Sequence, residues 1–63
     1  MRTGFEVYSG RRVVSLQLAT TAQEAVLEYL LSIGCRNDEL SRVGINAVSW
    51  RGAVYKAVPP SSD

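Results

Sequence analysis

Few side chains in this sequence are equipped for chemistry, and their spacing limits what they would do. Cys35 is the only thiol and there is no histidine, so histidine-based triads and zinc clusters of ordinary ligand count lack their parts. Cys35 follows Gly34, a glycine positioned to end a helix. It therefore lacks the helix-start amides that lower a thiol's pKa, and it reads as a small, partly buried apolar residue. Glu24 and Glu28 stand one helical turn apart, the spacing of a carboxylate pair. General acid–base work needs one of them in an apolar pocket, yet both fall on the most polar strip of their helix. The glycines at 4, 10, 34, 44 and 52 are scattered singly and form no phosphate-cradling loop. No catalytic residue, metal ligand or cofactor is expected.

The cations offer a binding chemistry instead. Arg11 and Arg12 lie at one expected hairpin turn and Arg51 at another, with Lys56, Tyr8, Trp50 and Tyr55 close by in sequence. Aromatic side chains on a basic sheet are the stacking platform used for single-stranded nucleic acid. Arg51-Gly52-Ala53-Val54-Tyr55 resembles the start of the RNA-recognition strand motif, but Ala53 stands where an aromatic is needed and the chain is too short for that domain's βαββαβ order. Hairpin turns also carry arginine for solubility alone. Under this reading the nucleic-acid contacts are Arg11, Arg12, Arg51 and Lys56.

Sixty-three residues make one domain near the lower limit of what folds without staples. An apolar content of 46% is ordinary for a globular domain. A lone cysteine makes no internal disulfide, the first residues lack the apolar run of a signal peptide, and no stretch approaches the ~20 apolar residues of a membrane span. A cytoplasmic protein is expected. The net charge of +1 is unevenly spread. The expected strands hold Arg2, Arg11, Arg12, Arg51 and Lys56 against Glu6, whereas residues 20–44 hold four acids against Arg36 and Arg42. That makes a weak dipole with a basic sheet.

These residues must be positioned by two hairpins and a helix. Phe5-Glu6-Val7-Tyr8 and Val13 to Leu18 are β-favouring runs around Ser9-Gly10-Arg11-Arg12. With Ser9-Gly10 as a two-residue loop, Phe5 faces Val14, and alternation collects Phe5, Val7, Val14, Leu16 and Leu18 on the core face. Thr21-Ala22-Gln23-Glu24 has the pattern of a capping box, and Ala22 to Ile33 continues without Gly or Pro until Gly34. Asn37 to Gly44 reads as a further helical turn or two, capped by Asn37 and stopped by Gly44. Ile45 to Trp50 and Ala53 to Val58 form the second hairpin around Arg51-Gly52, with Trp50 facing Ala53 and Val48 facing Tyr55. Pro59 to Asp63 is a solvated tail, and residues 1–58 are the domain.

The expected fold is α+β with order ββαββ: a four-stranded, mainly antiparallel sheet, one main helix on one face, and a short extra helical turn. One helix covers one face, so the other is open. Depending on the phase of the second hairpin, the open face carries either Val48, Trp50 and Tyr55 or Ile45, Ala47, Val54 and Val58, extended in both cases by Tyr8 and Val13. An apolar patch of several hundred Å² on so small a chain marks an interface, unless the sheet curls and the tail shields it. The expected function is a non-enzymatic protein-interaction domain whose main partner is itself, as a homodimer, through Tyr8, Val13, Val48, Trp50, Val54 and Tyr55. Another protein partner is the broader form of this reading, nucleic acid is the alternative, and no membrane partner is expected.

Overall fold

The computed structural model describes residues 2–60. In chain order they form β1 (Thr3–Ser9), β2 (Arg12–Ala19), α1 (Ala22–Ser32), a 3-10 turn (Asn37–Glu39), β3 (Leu40–Gly44), β4 (Ala47–Trp50) and β5 (Ala53–Val58). The strands make one antiparallel sheet in the order β2-β1-β5-β4-β3. The first and last strands lie side by side in the middle. The helix connects the two edge strands, so its chain must cross the whole sheet. Eleven residues rise ~16 Å and four strand spacings cover ~19 Å, which is why α1 lies over one face and leaves the other open. Among the described residues no helix is long and apolar enough to cross a membrane.

Local chemistry accounts for the helix ends. The Glu24 amide donates to Thr21 Oγ1 at 3.2 Å, while Glu24 Oε1 accepts from the Thr20 amide at 3.1 Å, one residue earlier than a standard capping box. At the other end Gly34 has φ +101°, the Cys35 amide donates to the Leu30 carbonyl, and the Gly34 amide donates to the Leu31 carbonyl. These two bonds form a Schellman motif, and they bring Cys35 down onto Leu30 in the core.

Two expectations about the strands are corrected. The sheet has five strands among the described residues, because helical structure after α1 stops at Glu39. Leu40 pairs with Trp50, Ser41 with Ser49 and Arg42 with Val48, so β4 gains a second neighbour, and Val43 is left out at an irregularity. Asn37 makes no cap; the residue before the 3-10 turn is Arg36, with no side-chain cap bond. A single short turn has little to hold it against a ladder that satisfies the backbone of both strands.

The second correction is the register of the first hairpin. Its loop is Gly10-Arg11, not Ser9-Gly10, with Gly10 at φ +66° in the first loop position that a type II′ turn reserves for glycine. Tyr8 then pairs with Val13, but Val7 pairs with Ser15, so Val14 is the extra residue of a bulge. One extra residue reverses the faces of all later positions in the strand. Ser15, Gln17 and Ala19 share the helix side with Phe5 and Val7, and Leu16 and Leu18 turn outward. Ala19 is fully buried next to a two-residue connection into α1, a position where the chain passes too close to the helix for a leucine.

The second hairpin keeps its expected register, Trp50 with Ala53 and Val48 with Tyr55. Arg51 at φ 50° and Gly52 at φ 84° give the type I′ turn that a two-residue loop favours. The core between helix and sheet consists of Phe5, Val7, Ala19, Ala25, Val26, Leu30, Cys35, Val48 and Ala57. Of the tail expected over 59–63, Pro59 and Pro60 are exposed and residues 61–63 lie outside the described residues.

Candidate interaction surface

The open face is built from the outward positions of the sheet. Cross-strand pairs share a face, so Gly4 with Leu18, Glu6 with Leu16 and Val58, and Tyr8 with Val13 and Lys56 define it across β2, β1 and β5. Ser49 and Val54 continue it on β4 and β5. Leu16 is 71% exposed, Leu18 62%, and Val13 and Val54 46% each. Two leucines this exposed on one strand, here the edge strand β2, are unusual, since a half-buried sheet normally turns its polar residues outward. Among the described strand residues the polar groups of this face are Glu6, Tyr8, Lys56, Ser41 and Ser49. The Tyr8 hydroxyl donates to Glu6 Oε1 at 3.1 Å, and that bond, the carboxylate's charge and partial burial together raise the tyrosine pKa above its ordinary value.

Between Gly4, Glu6, Leu16, Gln17, Leu18 and Pro60 lies a recess of about 360 Å³ with mainly apolar walls. Its floor is Gly4, where β1 carries no side chain.

The expected interface residues divide between the two faces. Tyr8, Val13 and Val54 lie on the open face. Val48 is fully buried and presents no surface, which removes it from any interface in the folded chain. Trp50 and Tyr55 are half-buried on the helix side, where Tyr55 meets Tyr29 at 6.3 Å between ring centroids. The cause is the phase of the second hairpin: Val7 pairs with Ala57, which fixes Ala57, Tyr55 and Val48 on the side of α1. Sequence reasoning missed Leu16, Leu18 and Gly4. A signal was present in Val13-Val14, adjacent apolar residues where alternation changes phase, as it does at a bulge.

The expected nucleic-acid residues are only partly brought together. The β1–β2 and β4–β5 turns project from the same end of the sheet, because β1 and β5 are antiparallel neighbours. Arg11, Arg12 and Arg51 therefore share that end. Arg51, however, lies 3.5 Å from Glu39 and 5.0 Å over the Trp50 ring, and Trp50 Nε1 donates to Glu39 Oε1 at 3.1 Å. Lys56 lies on the open face beside Tyr8, while Trp50 and Tyr55 lie on the other, so the aromatics do not form one stacking platform.

Two of the groups considered for catalysis, Glu24 and Cys35, have structural roles. Glu24 closes the helix cap. Cys35 is buried, and its thiol pKa is raised first by that burial and then by the Glu39 carboxylate, against a smaller opposing effect of Arg51. A raised pKa leaves less thiolate at a given pH. Cys35 should therefore react with a disulfide reagent at pH 8 at least ~10-fold more slowly in the native protein than in urea. Equal rates in the two states would mean that the thiol is open.

The chain matches no known protein-family model, no curated protein and no solved structure. A reading of its function therefore has only its own geometry to stand on.

Proposed function

We propose that this chain is a non-enzymatic interaction domain that self-associates through the open face of its sheet. The observation that carries this reading is the pair Leu16 and Leu18, 71% and 62% exposed on the outward face of edge strand β2. They turn outward although β2 in an unbulged register would put both against the helix. Exposed apolar surface of this kind on a small domain marks a contact.

A second copy suits the face better than an unrelated partner does. Five strands averaging ~20 Å at ~4.8 Å spacing give a face of ~480 Å², so two fully overlapped faces bury at most ~1,000 Å², the lower limit of a specific interface and the size of a weak dimer. Among the described strand residues the face carries the acid Glu6 and the base Lys56, so a two-fold arrangement has opposite charges to bring together. The buried, unpaired Cys35 suits a reducing compartment such as the cytoplasm. Nucleic-acid binding has less support, because the aromatics are divided between the two faces of the sheet.

Sedimentation equilibrium tests the proposal. Between 1 and 200 µM, chosen to bracket about micromolar affinity, the mass should rise from that of the 6.9 kDa chain to twice that value. A single monomer mass over the whole range would overturn it.

A further inference from the structure

We propose that the recess over Gly4 is the receptor of this self-association, and that it takes the Leu16 side chain of the second copy. The inference rests on the self-association proposed above and adds the contact that would set its geometry.

Gly4 needs an explanation that its own strand does not give. It sits inside β1, paired with Leu18, where glycine weakens a strand and offers nothing to pack. Its φ lies outside the left-handed region, so the backbone does not demand glycine. There is also room for a side chain: a Cβ built there meets only Leu18 Cδ2, at 3.9 Å, an ordinary contact. A Cβ thus fits the isolated chain, and a branched side chain there would narrow the recess. Glycine inside a strand commonly marks the close approach of another group.

Knob and socket lie side by side on one face. Leu16 stands in the wall of the recess and is the most exposed large apolar residue of that face. A two-fold axis beside it directs each Leu16 into the other chain's recess, and the same contact is then made twice, as an isologous interface requires. The volume of about 360 Å³ accepts a leucine side chain with space for the flanking Leu18 of the partner copy. The polar residues of the lining are Glu6, whose carboxylate accepts from the Tyr8 hydroxyl, and Gln17, whose amide donates to Ser15 Oγ.

The test is Gly4→Val, which fills the socket from below, measured by sedimentation equilibrium and thermal melting beside the unaltered chain. The expected result is a melting temperature at least as high as that of the unaltered protein measured as a monomer, because valine suits a strand, together with a dimer dissociation constant raised at least ~10-fold. Leu16→Ala removes the knob at an exposed position and should give a similar loss, which keeps the test decisive should Gly4→Val fail to fold. If the unaltered chain dimerises and these variants dimerise equally well, the recess is not the receptor, although self-association stands. If the unaltered chain is monomeric at every concentration, both proposals fall together.

Discussion

Leu30→Ala should bring the domain close to unfolding at 37 °C, whereas Leu31→Ala, one residue away, should be nearly silent. Leu30 is fully buried, and its carbonyl receives the Cys35 amide that closes the Schellman motif. Truncating such a leucine loses the transfer energy of the removed atoms and leaves a cavity, ~2–5 kcal/mol together. A chain of 63 residues has ~3–9 kcal/mol of stability in all, so the loss is a large share of the total. In a domain of this size each kcal/mol moves the melting temperature by ~4–8 °C, and the shift should exceed ~10 °C. Leu31 is 46% exposed and should cost less than ~1 kcal/mol. Thermal melts followed by circular dichroism, at one fixed concentration so that self-association does not confound them, provide the check. Equal melting temperatures for the two variants would mean that the helix is not held by the face assigned to it.

That contrast rests on the part of the fold most legible in the sequence. The start and end of α1 are marked by local chemistry, Thr21 with Glu24 at one end and Gly34 at the other, and signals confined to a few residues survive folding. Arg51-Gly52 is equally local, and the register it implies is the one found. The two failures share a different cause. Asn37-Asp38-Glu39 does carry helical signals and does form a turn, but the conformation of residues 40–44 is decided by pairing with β4, a strand further along the chain. Likewise alternation along β2 describes a regular strand correctly and fails at one inserted residue, Val14. With the bulge at Val14, the far end of the strand turns Ala19 rather than Leu18 beneath the helix.

The same distinction governs the candidate surface. Counting layers was enough to say that one face of the sheet is open, because one helix and one sheet leave that result whichever strands pair. Naming its residues required the phase of each strand relative to the helix. Tyr8 and Val13 follow from alternation along the first hairpin, whereas Val54 on the open side and Val48, Trp50 and Tyr55 on the covered side are placed only once β5 is paired with β1. Long-range pairing is therefore the step at which sequence pattern stops deciding function.

Leu16→Glu should separate binding from folding most sharply, whatever the detailed docking geometry. At a residue 71% exposed in the isolated chain, the substitution should cost the monomer no more than ~1–2 kcal/mol, from the modest preference of strands against glutamate and the like charge of Glu6 directly opposite on β1. In a two-fold dimer every interfacial residue is present twice, so the change removes two buried leucines. At ~1.5–3 kcal/mol each, the loss is ~3–6 kcal/mol, or ~10²–10⁴-fold in the dissociation constant. The new carboxylates add a desolvation cost and face each other or Glu6 across the axis with like charge. The variant should therefore sediment as a monomer at concentrations where the unaltered chain is dimeric, with an unchanged circular dichroism spectrum. Val48→Glu at the fully buried site supplies the opposite control, since a glutamate there should abolish folding itself. A folded Leu16→Glu dimer as tight as the original would show that the outward leucines are not what holds two copies together.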